Sequence, residues 1–154
     1  VTFNMFLLVL IFNFFPISST LVDISYLRTL YSLGANSEAK AELLISKTEN
    51  NTNSIMMGYN GAGKILMAKH YYNPISKLSS FNEGKEILEK AIQGDLYNPE
   101  LRYLRLTIQT NVPSFLGYSS NINEDKLYLT KKIKYINDLK LKSMITNYLR
   151  YINE

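Results

Sequence analysis

The chain has no cysteine, a single histidine, few prolines and few glycines, and only 19% of its 154 residues are charged. Without thiols it has no disulfide framework, no thiolate metal site and no lipid-attachment cysteine behind a leader. One imidazole, His70, builds no metal site unless carboxylates converge on it. No segment keeps the strict alternation of a half-buried strand. What is present is 46% apolar residue, close to the average of packed soluble domains and far from the composition of disorder. The expected product is one all-α domain over residues 21–154.

Charge is missing altogether from Val1 to Thr20. Met5 to Phe12 is an apolar run, and Phe14, Phe15, Pro16, Ser18, Ser19 and Thr20 follow it. This stretch resembles a secretory signal peptide, although it lacks a basic n-region. The run is short for a bilayer of about 30 Å, and Asn13 and Pro16 interrupt it. Residues 1–20 therefore read as a cleavable leader and the protein as periplasmic or secreted. The competing reading is a membrane anchor through residues 3–17.

Apolar spacing then yields about seven helices. Asp23 to Leu33 carries Ile24, Leu27, Leu30 and Tyr31 on one face, with Gly34 as its stop. Ser37 caps a second helix holding Ala41, Leu44 and Ile45, and Glu49 to Ser54 is a polar loop. A third begins near Ile55 and is expected to run to Tyr72, where Asn73-Pro74 halts it. The fourth is expected from near Leu78 to Gly94 and the fifth from Pro99 to Thr110. Glu124 to Ile136 and Asp138 to Ile152 complete the set.

Between Phe81 and Leu106 the pattern is sharpest. Phe81, Gly84, Leu88, Ala91 and Ile92 form a helical stripe, Gly94 ends it, and Asn98-Pro99 restarts the period as N-cap and first turn. Leu88 to Ile92, with Asp95, Asn98, Pro99 and Glu100, resembles the second helix and inter-repeat turn of a tetratricopeptide repeat. That resemblance implies antiparallel helical hairpins stacked in an array, with Gly84 where paired helices touch. Leu96 stands where the repeat usually has proline.

Gly58-Tyr59-Asn60-Gly61-Ala62-Gly63-Lys64 has the spacing of a phosphate-binding loop. Such a loop needs a hydroxyl after the lysine to hold magnesium, and position 65 is isoleucine. The alternative is a helix in which Gly58, Gly61 and Ala62 clear one face for a partner backbone at Gly84. Each helical glycine costs about 1 kcal/mol against alanine, so close packing has to explain them. No nucleotide and no other cofactor is expected.

Two segments are candidates for a binding groove. The connection after the third helix holds His70 and Tyr71; Asn111 to Tyr118 is more apolar than an exposed loop, with Asn111, Ser114, Phe115 and Tyr118 as its rim. No catalytic residue stands out, and a small hydrolase-like enzyme would need His70 beside a carboxylate such as Glu83 or Glu86. Lys126, Lys131, Lys132, Lys134, Lys140, Lys142 and Arg150 face only Asp138 and Glu154, a surplus suited to weak contact with an anionic membrane surface. Nucleic acid is not expected as a partner.

Gly58 to Ala62, Ala68-Lys69-His70, Leu101 to Arg105 and Asn111 to Tyr118, in that order, resemble a group of small, uncharacterised, exported helical proteins of gram-negative bacteria. The resemblance implies fold and export but no reaction. Together these readings give a protein- or peptide-binding module without catalysis, against the alternatives of a small enzyme or a passive envelope-structural protein.

Overall fold

Short polar side chains cap five of the seven α-helices among the described residues; Ser37, expected to cap the second, makes no such bond. In the computed structural model, which describes residues 23–154, the helices are α1 (Ile24–Gly34), α2 (Glu38–Thr48), α3 (Ser54–Met67), α4 (Pro74–Gly94), α5 (Pro99–Asn111), α6 (Ile122–Lys132) and α7 (Leu139–Tyr151). Asp23, Asn53, Asn73, Asn98 and Asp138 each accept a hydrogen bond from a first-turn N–H. Such caps contribute about 1 kcal/mol apiece. No strand occurs among the described residues, so the chain is all-α with seven α-helices there. The leader at residues 1–20 and the anchor at residues 3–17 lie outside the described residues. Among those described, no helix is long and apolar enough to cross a membrane.

Three boundaries differ from expectation. The third helix ends at Met67 rather than Tyr72, because the Lys69 and His70 N–H groups bond one residue short, to Leu66 and Met67 carbonyls. Asn73-Pro74 does not stop a helix but starts one, as Asn98-Pro99 does: Asn73 Oδ1 takes the Ile75 N–H at 2.8 Å and Pro74 occupies the first turn. After Lys132 the helix tightens into a 3-10 turn, Ile133–Tyr135, instead of continuing to Ile136. A second 3-10 turn, Ser114–Leu116, sits in the segment after α5 and ends at Gly117, whose φ of 60° suits glycine.

Helices α3 and α4 pack more extensively than any other pair. A Cβ on Gly61 would stand 2.5 Å from the Gly84 carbonyl oxygen, and one on Gly84 would stand 2.5 Å from the Gly61 oxygen. The two backbones therefore touch, as the sequence spacing indicates. The expectation that Gly58 shares this face is corrected. With about 100° between successive residues, the glycines of α3 point to different neighbours: Gly58 meets Leu101 of α5, and Gly63 meets Ile45 of α2. Segment 58–64 is the interior of a central helix, not a loop around a phosphate, and Lys64 pairs with Glu83 at 2.7 Å.

Helix α5 divides two cores. Leu101, Leu104 and Ile108 join the cluster built by α1 to α4, while Tyr103 and Leu106 join that of α6 and α7. Buried nearly all round, α5 also carries Glu100 and Arg105 into the interior. Each is answered. Arg28 Nε and Nη2 lie 2.7 and 2.8 Å from the two Glu100 carboxylate oxygens, Tyr59 donates its hydroxyl to Glu100, and Arg28 Nη2 reaches Asp138 at 2.8 Å. Arg105 grips Asp125 at 2.7 and 2.8 Å and Glu89 at 2.9 Å. Burial disfavours the Arg105 charge, but the Asp125 and Glu89 contacts outweigh it and leave its pKa raised. Breaking a buried pair by removing one partner costs about 3–5 kcal/mol. Arg102 Nε is the one buried side-chain nitrogen among the described residues without a hydrogen bond; it lies 3.0 Å from Asp125 Oδ1, already engaged by Arg105.

Two outcomes follow from this packing. Gly61→Ala drives a methyl into the α4 backbone and should cost about 1–3 kcal/mol in urea denaturation. Gly94→Ala meets only the end of the Ser54 side chain and should stay within about 0.5 kcal/mol. The second outcome concerns acid. The Arg28 hydrogen bond, then the Leu141 N–H, holds the Asp138 pKa below its usual range. A carboxylate whose pKa drops on folding stabilises above its unfolded value of about 3.9 and loses that contribution as pH falls. Thermal melts should show native chain more stable than Asp138→Asn at neutral pH, with the difference closing below about pH 4.

Candidate functional site

Two segments far apart in sequence meet across a half-open cleft of about 890 Å³. Its walls come from the C-terminal half of α1, the end of α3, the first two turns of α4, α5 from Tyr103 onward, the turn after it and Tyr148 of α7. The volume falls in the range of about 300–1,000 Å³ typical of ligand pockets. The lining is mainly apolar: Ile65, Leu78, Phe81, Ile108, Val112 and Leu116 carry much of it.

The polar groups inside are mostly spent on one another. Tyr31 and Thr107 hydroxyls lie 2.7 Å apart, and Asn111 Nδ2 donates to the Tyr148 hydroxyl at 2.8 Å, with Thr110 on the same phenol. Burial pushes the Tyr103 phenol up to about 12 and raises that of Tyr31 as well, so both are neutral hydroxyls at ordinary pH. The charged residues of the lining are Lys69 and Lys77, both at the surface, and no carboxylate lines the cleft. Phe115, although it borders the cavity, is 84% exposed.

Of the residues singled out in the sequence, Asn111 and Phe115 line this cleft. Ala68, Lys69 and Pro74 line the same cavity, so the two candidate segments border one cleft, through other side chains than expected. His70 is not part of the lining. Its Nε2 lies 2.8 Å from the Gly34 carbonyl oxygen, which only accepts, so Nε2 carries the proton and the ring secures the C-terminal end of α1. Tyr71 and Ser114 are surface residues outside the lining.

Tyr118 is corrected. It is 6% exposed, edge-on to Phe81 with ring centres 6.1 Å apart, and its hydroxyl donates to Glu89 at 2.6 Å. A ring whose hydroxyl finds a carboxylate gains from burial, so Tyr118 supports Phe81 from behind instead of rimming a groove. The residues missed by sequence reasoning are Lys77, Leu78 and Phe81 as one lining face. Their three- and four-residue spacing was visible, but it depends on starting α4 at Pro74.

For the enzyme alternative, His70 and Glu83 are engaged elsewhere, by Gly34 and Lys64, and no hydrogen bond joins His70 to Glu83 or Glu86. Among the described residues there is no cluster of three metal-ligating side chains. Near the end of α6, Lys131, Lys132, Lys134 and Tyr135 border a shallow depression, with Lys134 Nζ 4.8 Å from the Tyr135 ring centre. Comparison with known protein families, with curated proteins and with solved structures gives no match to this chain.

The geometry separates structural from binding roles. His70→Ala removes one hydrogen bond and should lower unfolding free energy by about 1 kcal/mol. Binding of an environment-sensitive apolar dye in the cleft should keep its affinity, as read by fluorescence titration.

Proposed function

We propose that the protein is a binding module without catalysis, whose cleft receives apolar side chains of a protein or peptide. The observation that carries this reading is the cleft itself: a mainly apolar, half-open cavity whose hydroxyls and amide are largely engaged with one another, with Lys69 and Lys77 at its surface. A reaction would need a nucleophile, acid or base free to act on a substrate. Here the hydroxyls serve each other, and His70 serves Gly34. The packing of α1 with α2, α3 with α4 and α5 with α6 supports a tetratricopeptide-like array of helical hairpins, an architecture suited to presenting such a surface. Export to the periplasm or beyond the cell is proposed from the charge-free Val1 to Thr20 stretch. The lysines around Tyr135 support an additional weak contact with an anionic membrane surface.

Selection of ligands for the full chain from a displayed random-peptide library tests this reading. The expected peptides carry two or more large apolar residues, and Leu78→Asp, a substitution at an exposed position, should weaken them by about tenfold. No selected peptide, or binding indifferent to Leu78→Asp in a variant with native circular dichroism, would overturn it.

A further inference from the structure

We infer that the segment bound in the cleft is an amphipathic helix whose apolar face is flanked by acidic residues, with carboxylates placed on Lys69 and Lys77. This rests on the cleft being a protein-binding site and names the partner's chemistry.

Charge is the first argument. Lys69 and Lys77 stand at the surface of the cleft without an ion-pair partner among the described residues. Residues 1–22 contain no Asp or Glu, so they supply no side-chain carboxylate either. Nor does any acid occur three or four residues from either lysine, where a helical neighbour would sit. Helix α4 opens between them at Pro74, and its positive end adds to the same field. Two unpaired cations beside an apolar cavity fit a ligand that is apolar in the middle and anionic at its edge.

Backbone chemistry is the second argument. An extended peptide buried here would need partners for its own N–H and C=O groups, but the hydroxyls and amide of the cleft are largely engaged with one another. A helix satisfies its backbone internally and offers side chains alone, the mode of helix-in-groove recognition.

The third argument is the apolar surface beyond the cavity. Tyr72 is 99% exposed, Ile75 79% and Phe115 84%, the first two within two residues of Pro74 and the last in the turn after α5. A small molecule seated inside would leave these side chains in water. A helix laid over the mouth extends past the cavity and can cover exposed apolar side chains beside it, the kind of surface that marks a protein contact.

The test uses the full chain and two stapled helical peptides with the same leucine face, one flanked by Glu and the other by Gln, with dodecanoate as a small-molecule probe. The Glu peptide should bind about fivefold more tightly at low salt, the size that two exposed ion pairs give together. High salt should shrink the difference, and a Lys69→Gln, Lys77→Gln double variant, checked for an unchanged melting temperature, should abolish it. Equal binding of both peptides would overturn the acidic partner while leaving the cleft as a protein site. Binding of dodecanoate with neither peptide bound would overturn both.

Discussion

Helices α3 and α4 approach until each backbone fills the space where the other's Cβ would stand, at Gly61 and Gly84. This contact sets the position of α4, and with it Pro74, Lys77, Leu78 and Phe81, the wall of the cleft nearest α3. The same helix α3 meets α5 through Gly58 and α2 through Gly63, so its glycines admit neighbours on three sides. A sequence that accepts about 1 kcal/mol of lost helix propensity at each glycine recovers it in close packing around one central helix.

Helix α5 is the second constraint, and it is electrostatic. Carrying Glu100 and Arg105 through the middle of the domain is costly unless each charge meets its opposite with good geometry. Arg28, Tyr59 and Asp138 meet the first group, and Asp125 and Glu89 the second. These pairs link α1, α3 and the start of α7 to one end of α5, and α4 and α6 to its middle. They fix how the two cores sit against each other, which hydrophobic contacts, being without direction, do less well. Tyr118 belongs to this arrangement: its hydroxyl shares Glu89 with Arg105 while its ring backs Phe81. Phe81, in the wall of the cleft, thus leans through Tyr118 on an ion-pair network outside it.

Much of this was legible beforehand. Apolar periods located every α-helix, Asn98 was legible as a cap while Ser37, read the same way, makes no side-chain cap bond, and the glycine spacing of α3 pointed to Gly84. The misplaced end of α3 and start of α4 share one origin. Asn73-Pro74 and Asn98-Pro99 are the same dipeptide, and both open helices; reading the first as a stop hid the face that lines the cleft. A proline excludes the preceding turn equally well whether a new helix starts there or not, so local chemistry alone left that choice open. For Tyr118 and His70 the deciding partners, Glu89 and Gly34, are distant in sequence.

What the amino-acid sequence determined by itself is the class and the list of elements: α-helices, and which face of most of them is apolar. These depend on interactions within a few residues, and such interactions are written in spacing. Only the tertiary structure decided that Arg28 answers Glu100, that Arg105 answers Asp125, and that Lys69 and Phe115 border one cavity. Pairings of that kind come from helix-on-helix geometry, where steric fit at a few glycines and the need to neutralise buried charge select one arrangement among many that the same periodicity allows.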